Sequence, residues 1–207
     1  MTEPRTISAA VVKQLRDLTG AGMMDCKQAL IEAGGDLTTA QDLLRTKGLA
    51  GAAKRSARRA AEGLVDAYIH AGGRIGAMVE VNCETDFVAR TDEFRSLARE
   101  VAMQVAAKPD TRWISIEDIP EDLIEAERKI YAEKAATEGK PEHVIERILD
   151  GQLKAFYKET VLLEQPYIRD DSKTVKDLVT EVAAKVGENV MIGRFARFQV
   201  GQEGQEG

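Results

Sequence analysis

Aromatic side chains are scarce in this chain: Phe, Trp and Tyr together make up 5% of its 207 residues. A packed interior must therefore come from Ala, Val, Leu and Ile. Cysteine is scarcer still, with only Cys26 and Cys83 and no CxxC pair. Two such residues give neither a zinc-type spacing nor a disulfide framework, so a reducing compartment is expected. His70 and His143 are the only histidines, and neither lies in a Cys, Ser or carboxylate pattern that implies a triad or a metal site. No GxxxxGK(S/T) phosphate loop and no dinucleotide glycine fingerprint occurs. The expectation is no catalytic residue, no metal and no cofactor. No apolar run approaches the roughly 18 residues that span a bilayer, and the start lacks a basic-then-apolar signal pattern. A cytoplasmic protein without membrane contact is expected. The net charge of −6 argues against a general nucleic-acid binder.

What the chain does contain is helix-forming and charged: 43% hydrophobic and 31% charged residues. Ile7, Val11, Leu15 and Leu18 recur at helical spacing, with Ser8 as a plausible cap. Thr19-Gly20-Ala21-Gly22 breaks that helix. A second helix is predicted from about Met24 to Gly34-Gly35, and a third from Asp36 or Thr38 to Gly48. The adjacent Met23 and Met24 cannot easily share one core, and methionine is over-used on binding surfaces. A core role for one of the pair remains open. Ala50 to Glu62 reads as a basic helical connector with Lys54, Arg55, Arg58 and Arg59. These cations suit either solvent or phosphate.

Val65, Ala67 and Ile69, then Ile75, Ala77, Val79 and Val81, alternate with polar neighbours around Ala71-Gly72-Gly73. Period two predicts a hairpin with these residues on a buried face. The second strand delivers the chain to Thr85-Asp86-Phe87-Val88. Two readings stand for that stretch. Phe87 lies seven residues before Phe94, on the buried stripe of a helix running to Lys108. Alternatively, a second cap at Thr91-Asp92 makes 85–90 a separate turn that presents an acid and an aromatic as a wedge. Trp113–Ser115 is predicted to be a short strand or edge segment. Helices are predicted from Pro120 to about Gly139, from Glu142 to Glu159, and from Thr174 to Val186, with a polar stretch over 165–173 and a closing strand over 190–200. The expected fold is α+β: an N-terminal three-helix module at 1–49, a basic linker at 50–62, and a core domain at 63–200. The core includes the helical segment 120–159 and a small antiparallel sheet packed against helices. A low-complexity tail at 201–207 is expected to be disordered.

The N-terminal module resembles ubiquitin-associated-type three-helix domains. Taken together, the run from Leu15 to Leu30, the run Val79-Glu80-Val81-Asn82-Cys83-Glu84-Thr85-Asp86-Phe87-Val88-Ala89, Glu138-Gly139-Lys140-Pro141, Leu162-Leu163-Glu164-Gln165-Pro166 and Arg194-Phe195-Ala196-Arg197-Phe198 closely resemble the bacterial elongation factor Ts family. The length is similar to the short form, with one copy of the core subdomain. This resemblance implies a nucleotide exchange factor without covalent chemistry, acting on elongation factor Tu in its GDP-bound and nucleotide-free states. It implies that Arg16, Met23 and Met24 contact that partner from the N-terminal module. It further implies that Thr85, Asp86, Phe87 and Val88 form the turn that dislodges magnesium, with Asp86 and Phe87 intruding. Short members resemble homodimers, implying pairing through the central domain or C-terminal strand. Many relatives carry His where this chain has Gln104, a position that can contribute a partner contact.

Overall fold

The computed structural model describes residues 7–137, 139 and 141–202. Residues 138 and 140 and the tail beyond Gln202 lie outside them. The chain is α+β, with helices at its N-terminus and a small antiparallel sheet packed against helices. It divides into two compact units.

The first unit comprises residues 7–64, Val81–Leu97 and Val179–Met191. It opens with α1 (Ala9–Thr19), α2 (Met23–Glu32) and α3 (Leu37–Arg55). Each helix begins or ends where local chemistry dictates. Ser8 accepts from the Val11 N–H, and Gly20, at φ +69°, closes α1 in the left-handed region that glycine enters without strain. Asp36 Oδ1 accepts from the Thr39 N–H at 2.7 Å and starts α3. Val12, Leu15, Cys26, Ala29, Leu30, Ala40 and Leu44 form the small core. The predicted α1 stripe is corrected in part: Val12 is buried and Leu18 is exposed. Gly48 does not end α3 either, because the helix runs through it to Arg55. A Cβ at Gly48 would lie 3.1 Å from the Ala184 Cβ, so this glycine serves close packing rather than termination.

The second unit comprises Val65–Glu80, Ala98–Leu178 and residues 192–202. Its sheet has the order β1 (Glu62–Ile69), β2 (Ile75–Cys83), β5 (Met191–Gln199), with β2 central. Arg74 pairs with Val200, and Glu80 faces Arg194. Partners thus descend β5 as β2 ascends, an antiparallel register. Ala77 and Val79 of β2 point inward as predicted. The β1 face is the reverse of the prediction: Val65, Ala67 and Ile69 are exposed, while Asp66 and Tyr68 are half-buried. Alternation fixes which residues share a face, not which face turns inward. Here Arg99 decides it. Its guanidinium lies 5.2 Å from the Tyr68 ring centroid and 3.8 Å from Asp66, so the inner face of β1 must supply an aromatic and a carboxylate.

Between the sheet strands come the single turn α4 (Asp86–Ala89), then α5 (Asp92–Ala107), α6 (Glu121–Thr137) and α7 (Glu142–Thr160). Trp113 forms only an isolated bridge, to Val161. The polar stretch after α7 is a short hairpin, β3 (Pro166–Tyr167) with β4 (Asp170–Thr174), followed by α8 (Val175–Val186). Gln104 of α5 organises this hairpin. It is fully buried, donates to Gln165 Oε1 at 3.0 Å and Pro166 O at 3.2 Å, and accepts from the Ile168 N–H at 2.9 Å. Gln165 is equally buried and donates onward to Thr111 Oγ1 at 2.7 Å and Glu159 O at 3.0 Å. Both amides are thus satisfied by protein, as burial requires.

Candidate partner-binding site

The first unit brings two exposed apolar features together with the elements that hold them. The first is the α1–α2 turn. Thr19 Oγ1 donates to Leu15 O at 2.8 Å and accepts from the Ala21 N–H at 3.3 Å. The Cys26 thiol donates to Ala21 O at 3.6 Å from beneath. The turn is therefore tied at both ends, and α2 starts at Met23 with both methionines outward: Met23 is 44% and Met24 74% exposed. The alternative of a core methionine is not realised. Arg16 is also exposed, in the last turn of α1. Leu18, missed as a surface residue, adds an exposed side chain beside that turn.

The second feature is α4, a turn separate from α5 that carries its ring outward. Thr85 sits in extended backbone and its Oγ1 accepts from the Val88 N–H, the cap that begins the turn. Thr91 ends it: its hydroxyl donates to Val88 O at 2.8 Å and accepts from the Phe94 N–H at 3.3 Å. One threonine thus closes α4 and opens α5, breaking the shared stripe. Phe94 is completely buried and Phe87 is 78% exposed. The Asp86 carboxylate pairs with Arg90 at 2.7 Å across the turn. Val88 is half-buried.

Three chain segments converge behind this turn. Glu188, just past α8, accepts from the Glu84 and Thr85 N–H groups, both at 3.0 Å, and from the Thr85 hydroxyl at 2.6 Å. Glu84 returns the grip by accepting from the Asn189 N–H at 2.6 Å, and Arg58 approaches the same carboxylate at 3.5 Å. The Asn189 amide donates to Arg58 O at 2.8 Å and Ser56 O at 3.3 Å. The buried Cys83 thiol donates to Thr85 O at 3.1 Å. Burial, reinforced by the Glu188 carboxylate, pushes that thiol up to about 11. It therefore stays protonated near neutrality and lacks the thiolate that redox chemistry needs. Lys185 lies along Gly20 with its carbon chain and pairs with Glu93 at 2.8 Å, holding the Glu93 carboxyl below its usual range.

Glu188, Asn189 and Glu84 were not singled out from the sequence. The only available signal was Gly187-Glu188-Asn189 as a helix-ending turn, which does not reveal a partner about a hundred residues away. Of the basic connector, Arg55 donates to Ala183 O at 3.3 Å, and the exposed Arg58 pairs with Glu84, so two of its four cations are engaged within the protein. Gln104, being fully buried, presents no surface for a partner contact. Among the described residues no cluster of His, Cys, Asp or Glu could hold a metal ion, and no helix is long and apolar enough to cross a membrane.

The comparisons with known proteins agree with one another. The family model described as Elongation factor TS matches residues 52–202. A protein named Elongation factor Ts from Caldanaerobacter subterraneus subsp. tengcongensis is 61% identical over 196 residues, covering 95% of this chain and 98% of the relative. Relatives of the same name from a Thermoanaerobacter species, 60% identical, and from Carboxydothermus hydrogenoformans, 57% identical, each cover 95% of this chain and at least 90% of their own length. Near-complete coverage in both directions at such identity leaves one assignment: the chain belongs to the elongation factor Ts family.

Proposed function

We propose that this protein is a guanine-nucleotide exchange factor for elongation factor Tu in translation elongation, acting without covalent chemistry. Residues 1–49 are the partner-binding module in this reading, with Arg16, Met23 and Met24 as contacts; 50–62 is the linker and 63–200 the core and dimerisation domain. The turn Thr85–Val88 enters the nucleotide site of the partner, where Phe87 occupies an apolar slot and Asp86 competes for the groups around the magnesium ion. Loss of the ion weakens the phosphate contacts, GDP leaves and GTP replaces it.

The observation that carries this reading is the outward Phe87 ring on a turn braced from behind. Large aromatic side chains are ordinarily buried. Leaving this one in water is consistent with burial in another protein. Burying it contributes about 1.5–3 kcal/mol. Exchange factor and nucleotide must weaken each other's binding by the same factor. A thousandfold coupling needs about 4 kcal/mol, so the methionine turn has to supply the remainder. The test is release of labelled GDP from purified factor Tu. Phe87→Ala is expected to slow catalysed release about tenfold to a hundredfold, the rate equivalent of the lost burial. Release as fast as with the parent chain overturns the wedge.

Homodimerisation belongs to the same reading. The outer face of the sheet exposes Val65, Ile69, Met78 and Phe198, alongside the Glu80–Arg194 pair at 2.7 Å. Apolar side chains gathered on one open sheet face suit a second copy of the chain. Sedimentation should show a dimer that Phe198→Glu dissociates. Parent protein that is monomeric at micromolar concentration with full exchange activity would defeat it.

A further inference from the structure

We infer that Glu188 is a positioning residue for the exchange step: it aims the Asp86–Phe87 turn from behind without touching the partner. This inference rests on the wedge reading above. It starts from an imbalance within α4. The turn has four residues, too few to persist as a helix by itself. Phe87, its bulkiest side chain, is exposed and gives no inward packing to fix it. Its own cap is long, with 3.5 Å between the Val88 nitrogen and Thr85 Oγ1. Thr91 closes its C-terminal end, and something else must hold its N-terminal end.

The Glu188 carboxylate does so through three bonds from two consecutive residues. Bonds to an ionised acceptor are stronger than neutral ones. The third bond also sets the cap. Because the Thr85 hydroxyl points its hydrogen at Glu188 Oε1, at 2.6 Å, its lone pairs remain for the Val88 N–H. Glu188 thus orients the hydroxyl that begins α4. The grip is reciprocal, since the Glu84 side chain takes the Asn189 N–H at 2.6 Å while Glu188 takes the Glu84 N–H. Each carboxylate binds the backbone of the other's turn, so neither segment can rotate without breaking both.

The mounting is firm on the far side too. Gly187 closes α8 at φ +75°, with its N–H on Ala183 O at 3.0 Å. Two residues before it, Lys185 packs over Gly20, at the head of the methionine turn, and pairs with Glu93. The end of α8 therefore contacts the bases of both exposed features. A fixed spacing between two docking points preserves binding free energy that a loose turn would lose to ordering.

The substitution that separates positioning from mere folding is Glu188→Gln. The amide keeps an oxygen for the backbone N–H groups. Its nitrogen, however, can only donate to Thr85 Oγ1, so the hydroxyl loses the charged acceptor that fixes its hydrogen and with it the orientation of the cap on Val88. With the full-length chain and factor Tu, the maximal GDP-release rate is expected to fall about tenfold, equivalent to roughly 1.4 kcal/mol. The half-saturating concentration should change less than about twofold, because the methionine turn still docks. A 4-fluorophenylalanine at position 87 reports the turn in the free protein. Its fluorine line should be narrow in the parent and shifted or broadened in the variant. Amide exchange on the parent needs no variant, and the Glu84 and Thr85 N–H groups should be protected. Free exchange there, or a parent-like maximal rate with an unchanged fluorine line in Glu188→Gln, overturns the inference. Phe87→Ala in the same assay keeps the two ideas apart: full activity in that variant sinks the wedge, while the fluorine and exchange results still decide whether Glu188 holds the turn.

Discussion

Phe87 and Phe94 stand seven residues apart, a spacing that would put both on one helical stripe, yet one ring is in water and the other in the core. The difference lies in Thr91. By ending α4 and starting α5 it resets the helical phase, so the period before it no longer predicts the face after it. Phe94 is then buried on α5, as are Leu97, Val101 and Val105. Phe87 answers instead to Thr85, Glu84 and Glu188. One aromatic is held by apolar neighbours and the other by the polar backing of its turn.

That contrast can be broken experimentally, beginning with stability. Phe94→Ala should cost about 3–5 kcal/mol, the usual price of emptying a buried aromatic site, read as a lower urea midpoint with unchanged slope. The next effect is on pH. The Cys83 pKa is raised in the folded protein, from 9.0 to about 11. The stability this contributes is complete below pH 9 and is lost as pH rises towards 11, because the unfolded chain releases the proton first. The loss is at most about 2–3 kcal/mol, at about 1.4 kcal/mol per pKa unit. Tyr131 and Tyr167, both pushed up to about 12 by burial, act in the same direction at higher pH. Comparing the parent with Cys83→Ala through an alkaline series isolates the thiol, and the variant should show the shallower decline.

Thr91→Ala tests the break itself. Losing a cap costs about 1 kcal/mol, and circular dichroism with urea should find that value. The exchange rate should fall as well, since α4 loses its closing bond. Smallest in stability is Phe87→Ala, within about 0.5 kcal/mol of the parent as for exposed positions generally, despite its large expected effect on GDP release. Equal stability losses at Phe87 and Phe94 would erase the distinction drawn between them.

Local signals made much of this legible. Ser8, Gly20, Asp36 and Thr91 mark helix boundaries because capping is a relation between residues a few positions apart. The Met23-Met24 pair after the glycine turn marks a candidate surface, but the sequence leaves open whether one of the two is core, and the structure places both outside. What escaped was set at long range. Which face of β1 turns inward depends on Arg99 of α5. Gly48 reads as a helix end until Ala184 is known to lie against it. The β3–β4 hairpin has no hydrophobic alternation because Gln104 and Gln165, rather than apolar packing, hold it in place. The grip of Glu188 on Thr85 spans 103 positions and leaves no periodic trace.

In the wedge reading proposed above, the exposed Phe87 ring also has a calorimetric consequence. Water released from an aromatic surface on docking lowers the heat capacity of the complex relative to its free components. The enthalpy of association with factor Tu should therefore grow more negative on warming, and part of that slope should vanish when the ring is replaced by alanine. Titration at several temperatures would thus register the wedge as a change in slope, without any nucleotide being present.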